Sequence, residues 1–171
     1  TTLTVTPAAD YNGDITVNVI ASDGQGSGSG SFTLTVNPVN DAPVMGALDN
    51  QSIAEDTFLT LELSASDIDG DNLIFSTATL LPAVVNGTTL TITPPANYNG
   101  SEDVIVTVSD GELSDSTTFT LTVTPVNDAP TLDDLVAASV AEDTDFVLEL
   151  SGADIDGDAL TFLASVDGNG S

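Results

Sequence analysis

The 171-residue sequence contains no lysine, arginine, histidine, cysteine or tryptophan, whereas aspartate and glutamate together number 27. The formal charge of −27 has no side-chain cation to offset it, so salt bridges between side chains are excluded. Electrostatic attraction to a nucleic acid backbone or to an anionic membrane surface is excluded as well, because both carry the same sign of charge. Each carboxylate must therefore be solvated or neutralised by a metal cation.

The missing residue types also limit the chemistry of the chain. Without cysteine there are neither disulfides nor thiolate metal sites. Without histidine, cysteine or lysine the usual pairs of nucleophile and base cannot be built, and a glycosidase with two carboxylates needs a cleft that repeated sandwiches seldom provide. We therefore expect that the chain is not an enzyme. No apolar run reaches the roughly 18 residues of a membrane span, and a hydrophobic content of 40% predicts a folded protein.

The sequence is a tandem repeat. The hexapeptide Pro-Val-Asn-Asp-Ala-Pro occupies residues 38–43 and again 125–130, an offset of 87 residues (125 minus 38). A fixed period of this length indicates one folded module per repeat. The chain then divides into the C-terminal half of one repeat at 1–39, a complete repeat at 40–126 and the N-terminal half of another at 127–171. We call residues 38–43 the first joint and residues 125–130 the second joint.

Short segments with apolar residues at every second position predict β-strands throughout the chain. Asp-Gly, Asn-Gly and Gly/Ser-rich turn signals, including a loop at 23–30, separate them, and no window shows a helical period. Strands of this length and spacing predict an all-β fold of tandem antiparallel Greek-key β-sandwiches. The predicted strands are 1–6, 15–20, 31–36, 57–65, 73–79, 88–93, 104–108, 117–124, 146–150 and 159–164.

Five motifs follow one another within the period: Val-Asn-Asp-Ala-Pro, Ala-Glu-Asp-Thr, Asp-Ile-Asp-Gly-Asp, Asn-Tyr-Asn-Gly and Val-Ser-Asp-Gly. In this order they resemble the bacterial immunoglobulin-like and cadherin-like tandem repeats of giant surface adhesins, and the resemblance covers the whole chain. It implies seven-stranded sandwiches stacked head to tail, export to the cell surface, and Ca²⁺ at the joints.

The resemblance also implies which residues would bind Ca²⁺. Such joints take oxygen ligands from the upper module, the linker and the lower module. For the second joint the implied ligands are Glu55, Asn127, Asp128, Asp154 and Asp156. For the first joint they are Asn40, Asp41, Asp67, Asp69 and Asp110. Because 10–13 and 97–100 read Asp-Tyr-Asn-Gly and Asn-Tyr-Asn-Gly where cadherins carry a further acidic cluster, we expect only one or two ions per joint.

Two functional classes follow. The first is a structural extracellular rod rigidified by Ca²⁺, acting as an adhesin stalk or surface filament whose partners are neighbouring repeats of the same or an identical chain. The second is an adhesion module that binds a glycan or another surface ligand, although an aromatic content of 5% argues against it. Position 171 is equivalent to 84, and position 1 to 88. The chain is therefore either a window of a longer array or a subunit whose end modules complete one another. The absence of lysine and arginine leaves trypsin no cleavage site, which would suit a protein exposed to proteases, and a halophilic source would explain the acidity equally well.

Overall fold

The computed structural model describes residues 1–165, which contain thirteen β-strands and no helix. Consistently, a search of these residues for a helix able to cross a membrane finds none. The strands are β1 (Gly13–Ser22), β2 (Ser27–Val36), β3 (Val44–Met45), β4 (Gln51–Ala54), β5 (Leu59–Glu62), β6 (Ala65–Ser66), β7 (Ile74–Ala78), β8 (Ala83–Asn86), β9 (Thr89–Ile92), β10 (Gly100–Ser109), β11 (Ser114–Thr124), β12 (Thr131–Leu132) and β13 (Gly152–Ala153).

The strands from β4 to β11 form a two-layer sandwich, which we call the complete module. One sheet has four strands in the order β4-β11-β10-β7, and the other has three in the order β5-β9-β8. Strands β3 and β6 add a short antiparallel pair. The all-β sandwich expected from the alternating pattern is therefore confirmed. One pairing differs from the antiparallel expectation, since β4 runs parallel to β11 from Leu121↔Gln51 to Thr124↔Ala54.

The core of the complete module lies between the two sheets and is built by side-chain alternation. Val104, Val106 and Val108 of β10 are fully buried. Side chains at every second position of a strand share a face, so these valines point inward together. The opposite sheet supplies Leu90 and Ile92, which are also fully buried. Strand β11 adds Phe119, Leu121 and Val123, while the alternate threonines of that strand lie outside this core.

The long hairpins are closed by an aspartate whose side chain bonds to the turn. Asp110 Oδ1 accepts hydrogen bonds from the backbone N–H groups of Glu112 and Leu113, both at 2.7 Å. The repeat-equivalent Asp23 accepts from Gln25 and Gly26 at 2.9 and 2.7 Å. These backbone donors lower the pKa of both carboxyls below the usual value, because they stabilise the charged form. The loop predicted at 23–30 is shorter than expected, because β2 already begins at Ser27.

Three predicted strands are wrong. Residues 1–6, 146–150 and 159–164 form no strand, although each carries an alternating pattern. Alternation describes which face a strand would bury, but a strand also needs a neighbour to receive its hydrogen bonds. In the complete module the equivalents of these segments are paired: β5 with β9, and β7 with β10. Among the described residues, 1–6 and 146–150 lie in different partial modules and do not pair with each other.

Two further differences concern the complete module. The strand predicted at 57–65 is divided into β5 and β6, with Leu63 and Ser64 between them. Strands β3, β4 and β8 of this module were not predicted, and neither were β12 and β13 after it. Each is only two or four residues long, and β4 carries the weakly apolar sequence Gln-Ser-Ile-Ala. Short segments of this kind depend on the adjoining strands more than on their own pattern.

Gly46 is the position at which the complete module is least able to accept a side chain. A Cβ at this position would lie 2.7 Å from the backbone oxygen of Ser64, and the Gly46 N–H donates to that same oxygen at 2.7 Å. We expect Gly46→Ala to lower the free energy of unfolding by about 1–3 kcal/mol, because backbone atoms must move. Urea unfolding measures this, with Gly28→Ala as the control, since a Cβ at Gly28 meets nothing within 4 Å.

Candidate metal centres at the two joints

Three carboxylates meet at the second joint. Glu55 from the complete module, Asp128 from the linker and Asp156 from the following segment place oxygen atoms within 4.8 Å of one another. Glu55 is only 3% exposed, and its Oε1 accepts a hydrogen bond of 2.5 Å from the Val126 N–H. Asp156 Oδ2 accepts from the Asp128 N–H at 2.7 Å. Backbone N–H groups of the linker thus hold both Glu55 and Asp156 close to Asp128.

Asp128 is the residue in this group whose charge is least compensated. Its Oδ2 is buried and has no hydrogen-bond partner in the described structure. Burial raises the pKa of Asp128, and the charges of Asp56, Asp156 and Glu55 raise it further. Burial and like charges both disfavour the ionised form. A cation placed among these oxygens would remove both penalties.

The segment Asp67-Ile68-Asp69-Gly70-Asp71 forms a second acidic group beside the first joint. Asp67 Oδ1 accepts hydrogen bonds from the backbone N–H groups of Asp69, Gly70 and Asp71, at 2.9, 3.0 and 3.3 Å. This turn brings carboxylate oxygens of Asp67, Asp69 and Asp71 within 4.8 Å of one another. Asp67 Oδ2 is buried without a partner. It is the second such oxygen among the described residues, and it also lies at a joint.

The first joint repeats part of the geometry of the second. Asp69 Oδ2 accepts from the Asp41 N–H at 2.8 Å, as Asp156 does from Asp128. In addition, Asn40 Nδ2 donates to Asp110 Oδ2 at 2.9 Å. This bond ties the linker to the hairpin between β10 and β11. It is the second-largest cause of the lowered pKa of Asp110, after the backbone of Leu113.

The remaining residues implied by the resemblance play other parts in the structure. Asp154 Oδ1 accepts from the N–H groups of Asp156 and Asp158, both at 3.0 Å, so it shapes its turn as Asp67 does. It is not among the three carboxylates grouped at the second joint. The side chain of Asn127 is exposed and donates to the backbone oxygen of Asp128 at 2.7 Å. Asn40 and Asp110 likewise bond to each other and not to the acidic groups.

The predicted set of metal ligands omitted two aspartates that the structure places in or beside the acidic groups. Asp71 joins the acidic group of Asp67 and Asp69, and Asp56 is the largest like-charge influence on Asp128. Asp71 is the third aspartate of Asp-Ile-Asp-Gly-Asp, and this spacing could have identified it, since side chains at alternate positions of a tight turn converge. Asp56 has a positive φ of 61°, a backbone feature that the sequence does not display.

The donor set fits calcium. Every side chain in both groups offers carboxylate oxygen, and Ca²⁺ binds six to eight oxygens at about 2.3–2.6 Å. Near the first joint an open cleft is lined by Asn12 and Asn40 together with Asp69, Asp71 and Asp110, so further oxygens surround the acidic group. Both buried oxygens without partners among the described residues lie at or beside these joints, and an ion is one of the partners that satisfy such an oxygen.

Residues 40–124 match the family model described as a bacterial Ig domain. The complete module belongs to that family. The resemblance to bacterial immunoglobulin-like repeats is thereby confirmed, and bacterial Ig domains are extracellular modules of the structural or adhesion type. No residue of the two acidic groups takes part in the Ig sandwich core.

Sequence and structure comparisons also find larger proteins. Chitinase A of Pseudoalteromonas piscicida is 35% identical over 133 residues, which cover 74% of this chain but only 16% of that protein. A solved endo-fucoidan hydrolase of glycoside hydrolase family 107 has 22% identity and a TM-score of 0.44, covering 76% of this chain and 21% of that one. Drosophila N-cadherin EC1-3 has 13% identity and a TM-score of 0.42, covering 68% of this chain and 44% of that one.

Proposed function

We propose that this chain is a segment of an extracellular rod, such as an adhesin stalk or surface filament, in which Ca²⁺ fixes each Ig module against the next. The observation that carries the proposal is the buried, unpartnered Oδ2 of Asp128. The Asp128 carboxylate groups with those of Glu55 of the complete module and Asp156 of the following segment, with oxygens within 4.8 Å of one another. One cation there would contact two modules and the linker, which makes the joint a shared binding site.

The residues of the chain prepare this joint. Glu55 holds the linker through the Val126 N–H, and Asp156 holds it through the Asp128 N–H. Pro130 restricts the backbone that follows, because its ring fixes φ near −65°. A bound Ca²⁺ would supply the positive charge that no side chain of this protein can provide. In its absence, repulsion among the three carboxylates favours separation of the modules.

The first joint supports the same proposal through a different group. Asp67, Asp69 and Asp71 lie on one turn of the complete module, and the Asp41 N–H reaches Asp69 from the linker. Asn40 and Asp110 hold that linker to the β10–β11 hairpin. We propose one or two ions at each joint, with the oxygen of Asp67 as a ligand at the first and that of Asp128 at the second.

Calcium titration of single variants tests this proposal. Asp128→Asn and Asp67→Asn keep the size of each side chain but remove its charge, so each should abolish or weaken about tenfold one class of sites in isothermal titration calorimetry. Asp103→Asn is the matched control, because Asp103 is exposed in the sheet and bonds only to the Thr120 hydroxyl. Equal Ca²⁺ binding by all three variants and the parent protein would refute the assignment.

The relationship to chitinase A favours a second candidate. We propose as an alternative that the Ig modules accompany a polysaccharide-binding or polysaccharide-degrading region in a larger protein, as spacer or glycan-binding module. In either role we propose that the chain itself is not catalytic, since it has no histidine, cysteine or lysine. Sedimentation with insoluble chitin distinguishes the roles: retention in the pellet supports glycan binding, and a chain left in solution supports a spacer.

A further inference from the structure

The first and last strands of the complete module, β4 and β11, pair with each other in parallel. Residues 51–54 lie against 121–124 in this short ladder. The Glu55 N–H, directly after β4, continues the ladder by donating to the Thr124 carbonyl oxygen at 2.9 Å. The complete module is therefore closed by hydrogen bonds between its beginning and its end.

Side chains extend this ladder in both directions. Before β4, Asn50 Oδ1 accepts a hydrogen bond of 2.8 Å from the Thr120 N–H. After β4, Glu55 Oε1 accepts one of 2.5 Å from the Val126 N–H. The Glu55 side chain is almost fully buried, so water does not compete freely for that bond. We call the extended ladder the terminal clamp, and it consists of residues 50–55 and 120–126.

The two linkers leave the complete module at opposite ends of β11. The preceding linker is held beside the start of β11, where the Asn40 side chain donates to Asp110 and the Met45 N–H donates to Asp115 at 2.8 Å. The following linker leaves from the other end of β11, beside Glu55. Because β11 has 11 residues, these two points lie about 30–35 Å apart. Tension along the chain therefore acts along β11.

Tension in this direction loads the terminal clamp in shear. It draws β4 towards the preceding linker and β11 towards the following one, so the two strands are forced to slide past each other. Hydrogen bonds between strands lie across the strand direction, so sliding must break them together, whereas a hairpin pulled from its open end loses them one after another. We propose that the terminal clamp is the element that resists extension of the rod, and that a cation bound by Glu55 strengthens it.

Glu55 connects the terminal clamp to the acidic group at the second joint. Its carboxylate groups with those of Asp128, in the linker after β11, and Asp156, in the following segment. A cation bound by Glu55 and Asp128 ties the end of β4 directly to that linker, so tension reaches β4 without passing through β11. The strands can then slide only after this coordination breaks. This half of the proposal deepens the proposed Ca²⁺ function and rests on it, whereas the shear of β4 against β11 does not.

Single-molecule force spectroscopy of the whole chain, tethered by its two ends, tests the proposal. Unfolding of residues 43–125 should lengthen the tether by roughly 25 nm, since an extended residue spans about 3.5 Å. At constant force this step should be about tenfold or more slower in millimolar Ca²⁺ than in EGTA, because the bound form is stabilised. Glu55→Gln should remove most of that difference, since glutamine keeps an oxygen for the Val126 N–H but loses the charge.

Asn50→Ala tests the terminal clamp without any metal. Loss of the acceptor for the Thr120 N–H should speed unfolding about fivefold in EGTA, and Asn50→Asp, which keeps an oxygen at this position, should restore most of the resistance. The direction of pulling supplies the control, because a cysteine can be placed uniquely in this chain. Leu113→Cys puts the second anchor at the turn before β11, at the same end as the preceding linker. Pulling there does not shear the clamp, so Ca²⁺ and Asn50→Ala should have little effect.

The possible outcomes distinguish this proposal from the Ca²⁺ function. Equal unfolding rates in Ca²⁺ and EGTA, for a chain that binds Ca²⁺ in calorimetry, would overturn the role of Glu55 and leave the cation sites of the rod intact. A chain that binds no Ca²⁺ would refute those sites and the role of Glu55 with them, while Asn50→Ala in EGTA still decides the clamp. Equal resistance in the two pulling directions, or an unchanged rate for Asn50→Ala, would overturn the shear.

Discussion

Replacing Phe119 by alanine is expected to lower the free energy of unfolding of the complete module by about 3–5 kcal/mol. Phe119 is 1% exposed and lies on β11 between the two sheets, in the cluster that includes Val104 and Leu121. Removing its ring both forfeits the burial of the side chain and leaves a cavity that close-packed neighbours fill only in part. This loss is comparable with the whole stability of a small domain, so the Ig sandwich would be largely unfolded.

The repeat provides a matched control for this substitution. Phe32 occupies the equivalent position on β2 but is 48% exposed, so Phe32→Ala should cost the complete module less than about 0.5 kcal/mol. Urea unfolding followed by far-UV circular dichroism measures both variants. Equal losses for the two phenylalanines would mean that the partial module at 1–39 shares the core of the complete one, contrary to the structure.

Removing Ca²⁺ should have the second-largest effect. A ligand present at 100 times its dissociation constant stabilises the form that binds it by about 2.7 kcal/mol. For a domain of this size that corresponds to roughly 10 °C or more in melting temperature. Excess EGTA should therefore lower the melting temperature by about this amount relative to millimolar Ca²⁺, since the acidic joints lose their only source of positive charge.

Glu55→Gln distinguishes the stability that Ca²⁺ binding contributes from the stability of the metal-free fold. Glutamine keeps an oxygen for the Val126 N–H but removes the charge facing Asp128 and Asp156, so the shift between EGTA and Ca²⁺ should shrink severalfold. Glu142→Gln is the control, because Glu142 is exposed and belongs to neither acidic group. A melting temperature that does not respond to Ca²⁺ in the parent protein would refute the stabilised rod.

Acid should act on the two joints in opposite directions when no metal is bound. The lowered pKa of Asp110 means that its contribution to stability is present above the usual carboxyl pKa and is lost as pH falls through the lower, folded value. The raised pKa of Asp128 has the reverse sign, because burial and the charges of Asp56 and Asp156 disfavour its ionised form, and protonation removes that penalty as pH falls through the raised value. The two aspartates thus differ because hydrogen-bond donors surround Asp110, whereas Asp128 is desolvated beside other carboxylates.

The β10–β11 hairpin of the complete module was predictable because its two strands are long and alternate strictly. The alternation of Val104, Val106 and Val108 predicts a buried face from the sequence alone. Strands β10 and β11 contain the predicted strands 104–108 and 117–124. The same pattern at 146–150 predicted a strand wrongly, because alternation does not reveal whether a partner strand is at hand. Strand β8 is the opposite error, a strand that was not predicted. Its Val85 packs against the core, and the strand is paired with β9.

The candidate site was predictable in its location but not in its membership. Repetition of Asn-Asp-Ala-Pro marked both joints, and the structure brings Glu55, Asp128 and Asp156 together from segments far apart in sequence. The sequence does not show that Asp154 bonds to its own turn, or that Asp71 converges with Asp67. Whether an aspartate is free to bind a metal depends on which of its oxygens accept hydrogen bonds from backbone N–H groups. The φ and ψ angles within the turn determine those bonds.

Diffraction from crystals grown in millimolar Ca²⁺ tests the central claim most directly. The account predicts an anomalous density peak at the second joint, about 2.3–2.6 Å from oxygens of Glu55, Asp128 and Asp156. Such a peak would show one ion shared by the complete module, the linker and the following segment. Ordered density with Asp128 bonded only to water or protein, and no cation within reach of these three carboxylates, would contradict it.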